Sequence, residues 1–192
     1  MTIKIAITGA LGSGKSTVAK IISNRKIPIF YSDKEVAKVY NVKTIRKKII
    51  NKLKLNSVFN LKYQVKKRII ENYKNIFLIE KIIHPHVRKA LTKFISKNKK
   101  KKMILLEIPL LFESKLQKKF DITILVRSKK NLRIARCKKN KIPIKILRRF
   151  DSRLIPDKKK AKLSDYIIVN NKNLRFLKSK ITNIILRWEN YF

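Results

Sequence analysis

All three glycines of this 192-residue chain stand within six residues of one another, at Gly9, Gly12 and Gly14. At average usage a chain of this length contains about a dozen glycines. Glycine adopts backbone conformations that side chains forbid, so the three that are kept indicate a place where no other residue serves. The apolar run at 2–8 predicts a buried strand before them, and the helical spacing at 14–24 predicts a helix after them.

The loop GALGSGKS at 9–16 matches the pattern G-x-x-x-x-G-K-[ST], between a strand and a helix as this pattern requires. In such a loop the backbone N–H groups and the positive end of the helix bind phosphates. Lys15 supplies a cation for the β- and γ-phosphates, and Ser16 supplies a ligand for Mg²⁺. We therefore predict an enzyme that uses ATP or GTP. The predicted phosphate-binding residues are Ala10, Leu11, Gly12, Ser13, Gly14, Lys15, Ser16 and Thr17.

The phosphate loop does not by itself separate a kinase, a switch GTPase and an ATPase motor. A guanine site needs the pattern N-K-x-D, but the segment at 98–101 lacks the aspartate. The chain is also short for most motors. A small-molecule kinase that uses ATP is therefore the expected class.

The formal net charge of +40 points first to a polyanionic partner such as nucleic acid. The 39 lysines outnumber the 12 arginines, and lysine, isoleucine and asparagine, which have A/T-rich codons, make up 85 residues. A biased genome composition therefore accounts for most of the charge. Because the lysines are spread along the chain, with one dense run at 97–102, we expect no specific nucleic-acid partner. A basic nucleic-acid-binding protein with an inactive phosphate loop is the alternative from a different class.

Short apolar runs alternate with helical patterns, which predicts an α/β fold with a parallel sheet and helices on both faces. Further strands are predicted at 27–33, from 103, at 121–126 and at 165–171. The Lys-rich pattern from 33 to 98 is too long for one crossover and predicts a helical insertion. Basic helices are predicted at 129–163, interrupted at Pro143 and Pro156, and a C-terminal helix at 173–192.

The single cysteine, Cys137, excludes an internal disulfide and is expected to pack inside a protein of a reducing compartment. The segment at 1–16 lacks the pattern of a signal peptide. No uncharged apolar run approaches the ~18 residues that indicate a membrane span. We therefore expect a cytoplasmic protein that does not bind a membrane.

Acidic residues are scarce, with 11 Asp and Glu in the chain, so those at predicted strand ends are candidates for chemistry. Asp33 follows the second strand, at the sheet edge where the phosphate loop also lies. It is suited to accept a proton from a hydroxyl nucleophile and to hold Mg²⁺ directly or through water, or else to cap a helix from Lys34. Glu107 ends the next strand, where it either holds a metal-bound water or pairs with a lysine.

Two further groups have both a functional and a structural interpretation. His84, followed by Pro85, comes after the apolar helical run LIEKII and is either part of a site or a structural histidine. The cations of 129–163 either close over ATP as a lid that stabilises developing charge, or form a solvated basic face. The candidates are Arg133, Arg136, Lys139, Arg148, Arg149 and Arg153.

Several motifs, taken in order, resemble the dephospho-CoA kinase family over nearly the whole chain. They are ITGALGSGKSTVAK at 7–20, SDKEVAK at 32–38, IEKIIHPHV at 79–87, IPLLFES at 108–114 and RFDSRLIPDKKKAKLSDYIIVNN at 149–171. The phosphate loop together with IIHP and IPLLFE is specific, whereas a phosphate loop alone is not.

The resemblance implies phosphorylation of the ribose 3′-hydroxyl of dephospho-CoA by ATP with Mg²⁺, giving CoA and ADP in the last step of CoA biosynthesis. It implies a P-loop NTPase core with a five-stranded parallel sheet at 1–32 and 102–192, and a helical lid at about 136–163. The helical insertion, 33–101, then binds the CoA substrate. Another small-metabolite or nucleoside-monophosphate kinase is the closest enzymatic alternative.

Residue roles follow from the same resemblance, position by position. Asp33 becomes the catalytic base near the 3′-hydroxyl, Lys15 acts on the phosphates, and Ser16 with Asp33 holds the magnesium. The implied substrate-binding residues are Asp33, His84, Pro85, Leu110 and Glu113, and the implied lid contacts to ATP are Lys139 and Arg149. A monomer or weak homo-oligomer is expected.

The chain departs from the family pattern in several places, and one is the stretch around 41–65, where the usual Gly- and Arg-bearing pattern is eroded and Lys62 stands where an Arg is common. Tyr31 stands where the family has the first Asp of a D-A-D element, and Arg153 stands where it has Gln. Lys139 replaces a lid arginine and, without the planar fork, does not make the same bidentate contact. These departures predict reduced activity, although Asp33 and the phosphate loop are kept.

Overall fold

The computed structural model describes residues 1–24, 26–55 and 60–189. The strands there are β1 (Ile3–Thr8), β2 (Ile29–Tyr31), β3 (Met103–Glu107), β4 (Ile122–Arg127) and β5 (Tyr166–Val169). They form one parallel sheet in the order β2-β3-β1-β4-β5. The predicted α/β fold with a five-stranded parallel sheet is confirmed.

The central strand β1 is apolar from Ile5 to Ile7, as expected of a strand that is buried on both faces. Ile5, Ala6 and Ile7 have no exposed surface. In the register of the sheet, Ile7 lies beside Glu107 at the end of β3. The loop after β1 and the carboxylate that ends β3 therefore emerge at the same edge, the carboxyl edge where ligands bind in open α/β sheets.

Helices fill most of the remaining described chain. They are α1 (Lys15–Ser23), α2 (Ser32–Val39), α3 (Lys43–Leu53), α4 (Leu61–Glu71), α5 (Asn75–Lys97), α6 (Lys130–Lys139), α7 (Ile144–Asp151), α8 (Asp157–Lys162) and α9 (Leu174–Glu189). Pro143 and Pro156 directly precede α7 and α8. Proline fits a helix start because it lacks an N–H, and it disfavours helix in the residue before it, so the predicted interruptions are confirmed.

The chain divides into two compact units. The core unit contains residues 1–31 and 98–192 and holds the sheet, whereas the helical unit contains residues 32–97. Each unit has its own apolar core, which in the helical unit includes the buried side chains of Ile45 and Ile49. That the helical unit binds substrate, and that the basic helices form a lid, stay predictions.

The longest helix of the described chain, α5, continues through Pro85, so His84, predicted to follow a helical run, lies inside a helix. Because proline lacks an N–H, the carbonyl of Lys81 loses its helical partner there. Burial of Ile79 and Ile83 in the core of the helical unit stabilises the helix on the N-terminal side of the proline. Neither α5 nor any other helix of the described residues is long and apolar enough to cross a membrane.

The second strand is shorter than predicted because α2 begins at Ser32, directly after Tyr31. Asp33 therefore lies in the first turn of α2 and does not cap a helix that starts at Lys34, so the capping interpretation was wrong. A carboxylate in a first turn still interacts favourably with the positive end of the helix. Residues 190–192 of the predicted C-terminal helix and 56–59 of the predicted insertion lie outside the described residues.

Candidate functional site

The glycines of the phosphate loop are required by both conformation and packing. Gly12 and Gly14 have φ angles of 76° and 97°, in the left-handed region that side chains rarely adopt. A Cβ on Gly14 would collide with the side-chain amide nitrogen of Asn170, and one on Gly12 would lie 2.8 Å from the carbonyl oxygen of Arg133. The same Cβ on Gly12 would lie 3.1 Å from Sγ of Cys137, which is buried, as predicted for a packing residue.

Side chains of the core unit bind the loop carbonyl oxygens. Arg136 Nη1 donates to the carbonyls of Gly12 and Ser13, both at 3.2 Å, and Asn170 Nδ2 donates to the Ser13 carbonyl at 2.9 Å. In a trans peptide the carbonyl and the following N–H point in opposite directions. Fixing the Ser13 carbonyl therefore turns the N–H of Gly14 to the other side, where an anion can accept it.

The two residues that follow the loop have the partners that phosphate and metal chemistry need. Lys15, only 6% exposed, opens α1, and its Nζ donates to the carbonyl of Ala10 at 3.2 Å. Ser16 Oγ donates to Glu107 Oε1 at 3.0 Å, and Glu107 is only 3% exposed. A cation, a hydroxyl and a carboxylate therefore meet at the carboxyl edge of the sheet.

This donor set fits a magnesium ion that arrives with a nucleotide. Mg²⁺ prefers oxygen ligands and is usually held by one or two carboxylates, substrate phosphates and water rather than by an all-protein cage. Ser16 and Glu107 supply such oxygens, and no cluster of three His, Cys, Asp or Glu side chains suited to a metal occurs in the described part of the chain. Asp33, the other predicted ligand, belongs to the helical unit, and its role stays a prediction.

Tyr31, two residues before Asp33, lies beside the Glu107 carboxylate. Tyr31, which stands where the family has aspartate, pairs in the sheet register with Glu107. Burial and the Glu107 charge raise the pKa of Tyr31 above its usual value, so the phenol stays neutral. A neutral phenol at this position avoids placing a second carboxylate beside Glu107.

Two of the predicted ATP contacts carry exposed side chains. Lys139 ends α6, and Arg149 lies near the end of α7. Both side chains reach solvent, as contact with a ligand requires. Their contact with ATP stays a prediction.

The predicted substrate residue Glu113 is engaged inside the core unit. Its Oε1 lies 2.6 Å from Nζ of Lys160, a side chain with no exposed surface, and accepts the backbone N–H of Ile155 at 3.0 Å. These bonds tie the segment after β3 to α8 and to Ile155, which directly precedes Pro156. Glu113 thus joins segments of the core unit, and its contact with substrate stays a prediction, as does that of the half-buried Leu110.

Asp33 and His84 have different environments in the helical unit. The Asp33 side chain is exposed and makes no hydrogen bond or ion pair with any residue that the structure describes. Burial lowers the pKa of His84, and the positive charge of Arg88, one turn later in α5, lowers it further. His84 is therefore neutral near pH 7 and is suited to hydrogen bonding rather than to pairing with phosphate as a cation.

Three residues around the loop were not assigned to it from sequence. Asn170 receives no role from the sequence motif that contains it, although it directly follows the last strand at the carboxyl edge, which is an available signal. The sequence predicts Arg136 only as a lid cation, but its guanidinium donates to the carbonyls of Gly12 and Ser13. Glu107 is a candidate metal-site acid from its place at a strand end, but the predicted magnesium ligands are Ser16 and Asp33, and the structure adds Glu107 through its bond with Ser16.

Comparison with known proteins gives concordant matches. A family model described as dephospho-CoA kinase matches residues 3–175. A dephospho-CoA kinase from Bartonella quintana is 29% identical over 199 residues, covering 94% of this chain and 95% of that protein. One from Fusobacterium nucleatum is 29% identical over 183 residues, covering 92% and 94%. The solved dephospho-CoA kinase of Campylobacter jejuni, 23% identical, shares the fold with a TM-score of 0.68 over 97% of this chain and 96% of that chain.

Proposed function

The chain belongs to the dephospho-CoA kinase family and is a kinase, and we propose that it transfers the γ-phosphoryl group of ATP to the ribose 3′-hydroxyl of dephospho-CoA. The products are CoA and ADP, and the step is the last of CoA biosynthesis. The observation that carries the proposal is the phosphate loop with Lys15 and the Ser16–Glu107 bond, in a chain that the family model matches over residues 3–175.

The phosphate loop holds ATP through its backbone and through Lys15. The N–H of Gly14, which is turned away from the Arg136 and Asn170 donors, binds a phosphate oxygen, and the N-terminus of α1 adds its positive end. Ser16 and Glu107 hold Mg²⁺, which neutralises charge on the phosphate oxygens when it is bound with ATP. Lys15 stabilises the charge that develops as the γ-phosphoryl group is transferred.

The acceptor hydroxyl is oriented and deprotonated by Asp33. Its carboxylate is exposed and makes no bond with the described residues that would have to be broken before it accepts a proton. Neutral His84 and the neighbouring Pro85, together with Leu110, border the acceptor. The exposed cations Lys139 and Arg149 neutralise the phosphates from the lid.

The small-molecule substrate distinguishes this proposal from its alternatives. Incubation of the protein with Mg·ATP and, separately, dephospho-CoA, AMP, shikimate or short DNA is expected to produce ADP only with dephospho-CoA, together with equimolar CoA. Turnover with AMP or shikimate would assign the chain to another small-molecule kinase. Binding of DNA at physiological salt without any ADP formation would favour the nucleic-acid alternative.

We further propose that the enzyme works in the cytoplasm as a monomer or weak homo-oligomer.

The role of Glu107 in holding magnesium can be tested on its own. Glu107→Gln keeps the shape of the side chain but removes the charge, so we expect the rate to fall by about 10- to 100-fold at fixed Mg²⁺, as for other residues that support metal ligands. A rising Mg²⁺ concentration should recover part of that loss. The measurement is the initial rate as a function of Mg²⁺ concentration.

Asp121→Asn is the matched control for Glu107→Gln. Asp121 is an acid of the same unit that accepts the backbone N–H of Lys4 at 2.7 Å, away from the loop. This variant is expected to keep the magnesium dependence of the wild type. An unchanged magnesium dependence in Glu107→Gln would contradict the assignment of Glu107.

A further inference from the structure

One guanidinium of the core unit contacts both the phosphate loop and α7. Arg133 lies on α6 and is 8% exposed. Its Nη1 donates to the carbonyl of Leu11 at 3.3 Å and to Asp151 Oδ1 at 2.7 Å, and its Nη2 donates to Asp151 Oδ2 at 2.6 Å. The last residue of α7 and a carbonyl of the phosphate loop are therefore joined through a single side chain.

The Arg133–Asp151 pair is of the kind that fixes geometry. It is bidentate, and its side chains are only 10% and 20% exposed. Paired planar groups hold one relative orientation, and the bonds to Asp151 raise the pKa of Arg133 above its ordinary value. By contrast, Arg127 and Asp157 of the same unit share one bond at 3.1 Å with 40% and 44% exposure, where solvent screens the interaction.

The same helix presents a proposed ATP contact on its other side. Arg149 stands two residues before Asp151, which at 3.6 residues per turn places the two side chains roughly 200° apart around α7. Asp151 faces α6, and Arg149 is exposed. Ile146 and Leu147 are buried, so α7 packs against the rest of the core unit. The anchoring of Asp151 therefore sets the direction in which Arg149 projects.

We propose that Arg133 is a positioning residue: by bonding to Asp151 and to the Leu11 carbonyl at the same time, it fixes the position of Arg149 relative to the phosphate loop. This inference rests on the proposed function, in which Arg149 meets the phosphates of ATP. Lysine at position 133 keeps the charge but has no fork, so it does not bind both Asp151 oxygens and the loop carbonyl. Arg133 itself stays buried and does not touch the nucleotide.

A double-mutant cycle between Arg133→Lys and Arg149→Ala tests the proposal, with Mg·ATP affinity and steady-state turnover as separate readouts. We expect Arg133→Lys to weaken ATP affinity and kcat/KM for ATP by about tenfold, the scale of one lost charge-assisted bond, and to leave KM for dephospho-CoA unchanged. In the Arg149→Ala background the same change should cost less than about twofold, because nothing is left to position. Asp151→Asn, which keeps the side-chain shape, should reproduce Arg133→Lys.

The matched control is Arg127→Lys, which alters the exposed Arg–Asp pair and should leave both readouts at the wild-type level. Thermal unfolding of every variant identifies loss of fold, which would lower both substrates' kinetics and would be independent of Arg149. Equal effects of Arg133→Lys in both backgrounds overturn the inference, and so does an Arg149→Ala variant with wild-type affinity and turnover. A wild-type protein that binds ATP but does not phosphorylate dephospho-CoA overturns the proposed function instead, while the affinity cycle still decides the inference.

Discussion

Replacing Lys15 by methionine is expected to lower kcat/KM for ATP by about 10²- to 10³-fold, the loss typical when one preorganised group is removed from developing charge. Lys15 is 6% exposed and lies at the start of α1, with its ammonium held toward the loop by the Ala10 carbonyl. Methionine keeps a long unbranched apolar stem, so the fold is retained while the cation is lost. Steady-state kinetics with ATP as the varied substrate measure the effect.

Lys20→Met is the control for this prediction. Lys20 lies on the same helix and is exposed, so its replacement removes the same unit of charge without touching the loop. With a net charge of +40, one cation fewer at the surface changes the overall field little. Equal losses in both variants would indicate a general charge effect and would contradict a specific role for Lys15.

The phosphate loop was predictable because its requirements are local. Within a short stretch the chain has a strand, three closely spaced glycines, Lys15 and a helix. The absence of glycine from the rest of the sequence makes this stretch conspicuous. The side chains that contact the loop carbonyls were not predictable in the same way. Asn170 approaches Gly14 from the far end of the chain, and only the assembled sheet brings the two together.

The acidic residues show the same difference: a place at a strand end can be predicted from the sequence, whereas a partner distant in the sequence cannot. Their scarcity indicates those at strand ends, Asp33 and Glu107, as candidates for chemistry, and the family resemblance adds Glu113, but the sequence does not say which of many cations or hydroxyls each glutamate meets. The fold pairs Glu107 with Ser16 and Glu113 with the buried Lys160. In a chain with so many lysines, only tertiary contacts identify the partner of each carboxylate.

The basic helices were predicted from the sequence, but the roles of their individual cations were not. Their boundaries followed from Pro143 and Pro156, which act locally on the backbone. Helical spacing alone does not distinguish Arg136, whose guanidinium supports the loop, from the exposed Arg149. That distinction depends on which face of each helix packs on the sheet.

Asp33→Asn is expected to lower kcat by about 10²- to 10⁴-fold, the usual contribution of a positioned general base, while ATP affinity stays at the wild-type value. Asparagine is isosteric with aspartate but does not accept the proton of the 3′-hydroxyl. The side chain is exposed and makes no bond within the described residues, so the substitution removes no contact that the fold depends on. Single-turnover rates and direct ATP binding separate the two effects.

Glu35→Gln separates chemistry from helix stability in this test. Asp33 and Glu35 both lie in the first turn of α2, and Glu35 also pairs with Lys38 at 2.7 Å. Loss of either carboxylate therefore weakens the interaction with the helix dipole, typically by about 0.3–1 kcal/mol. If Asp33 acts only on the helix, Glu35→Gln should be at least as harmful, since it loses an ion pair as well. A large loss of kcat confined to Asp33→Asn, with matching unfolding temperatures in the two variants, assigns Asp33 to catalysis and not to the stability of α2.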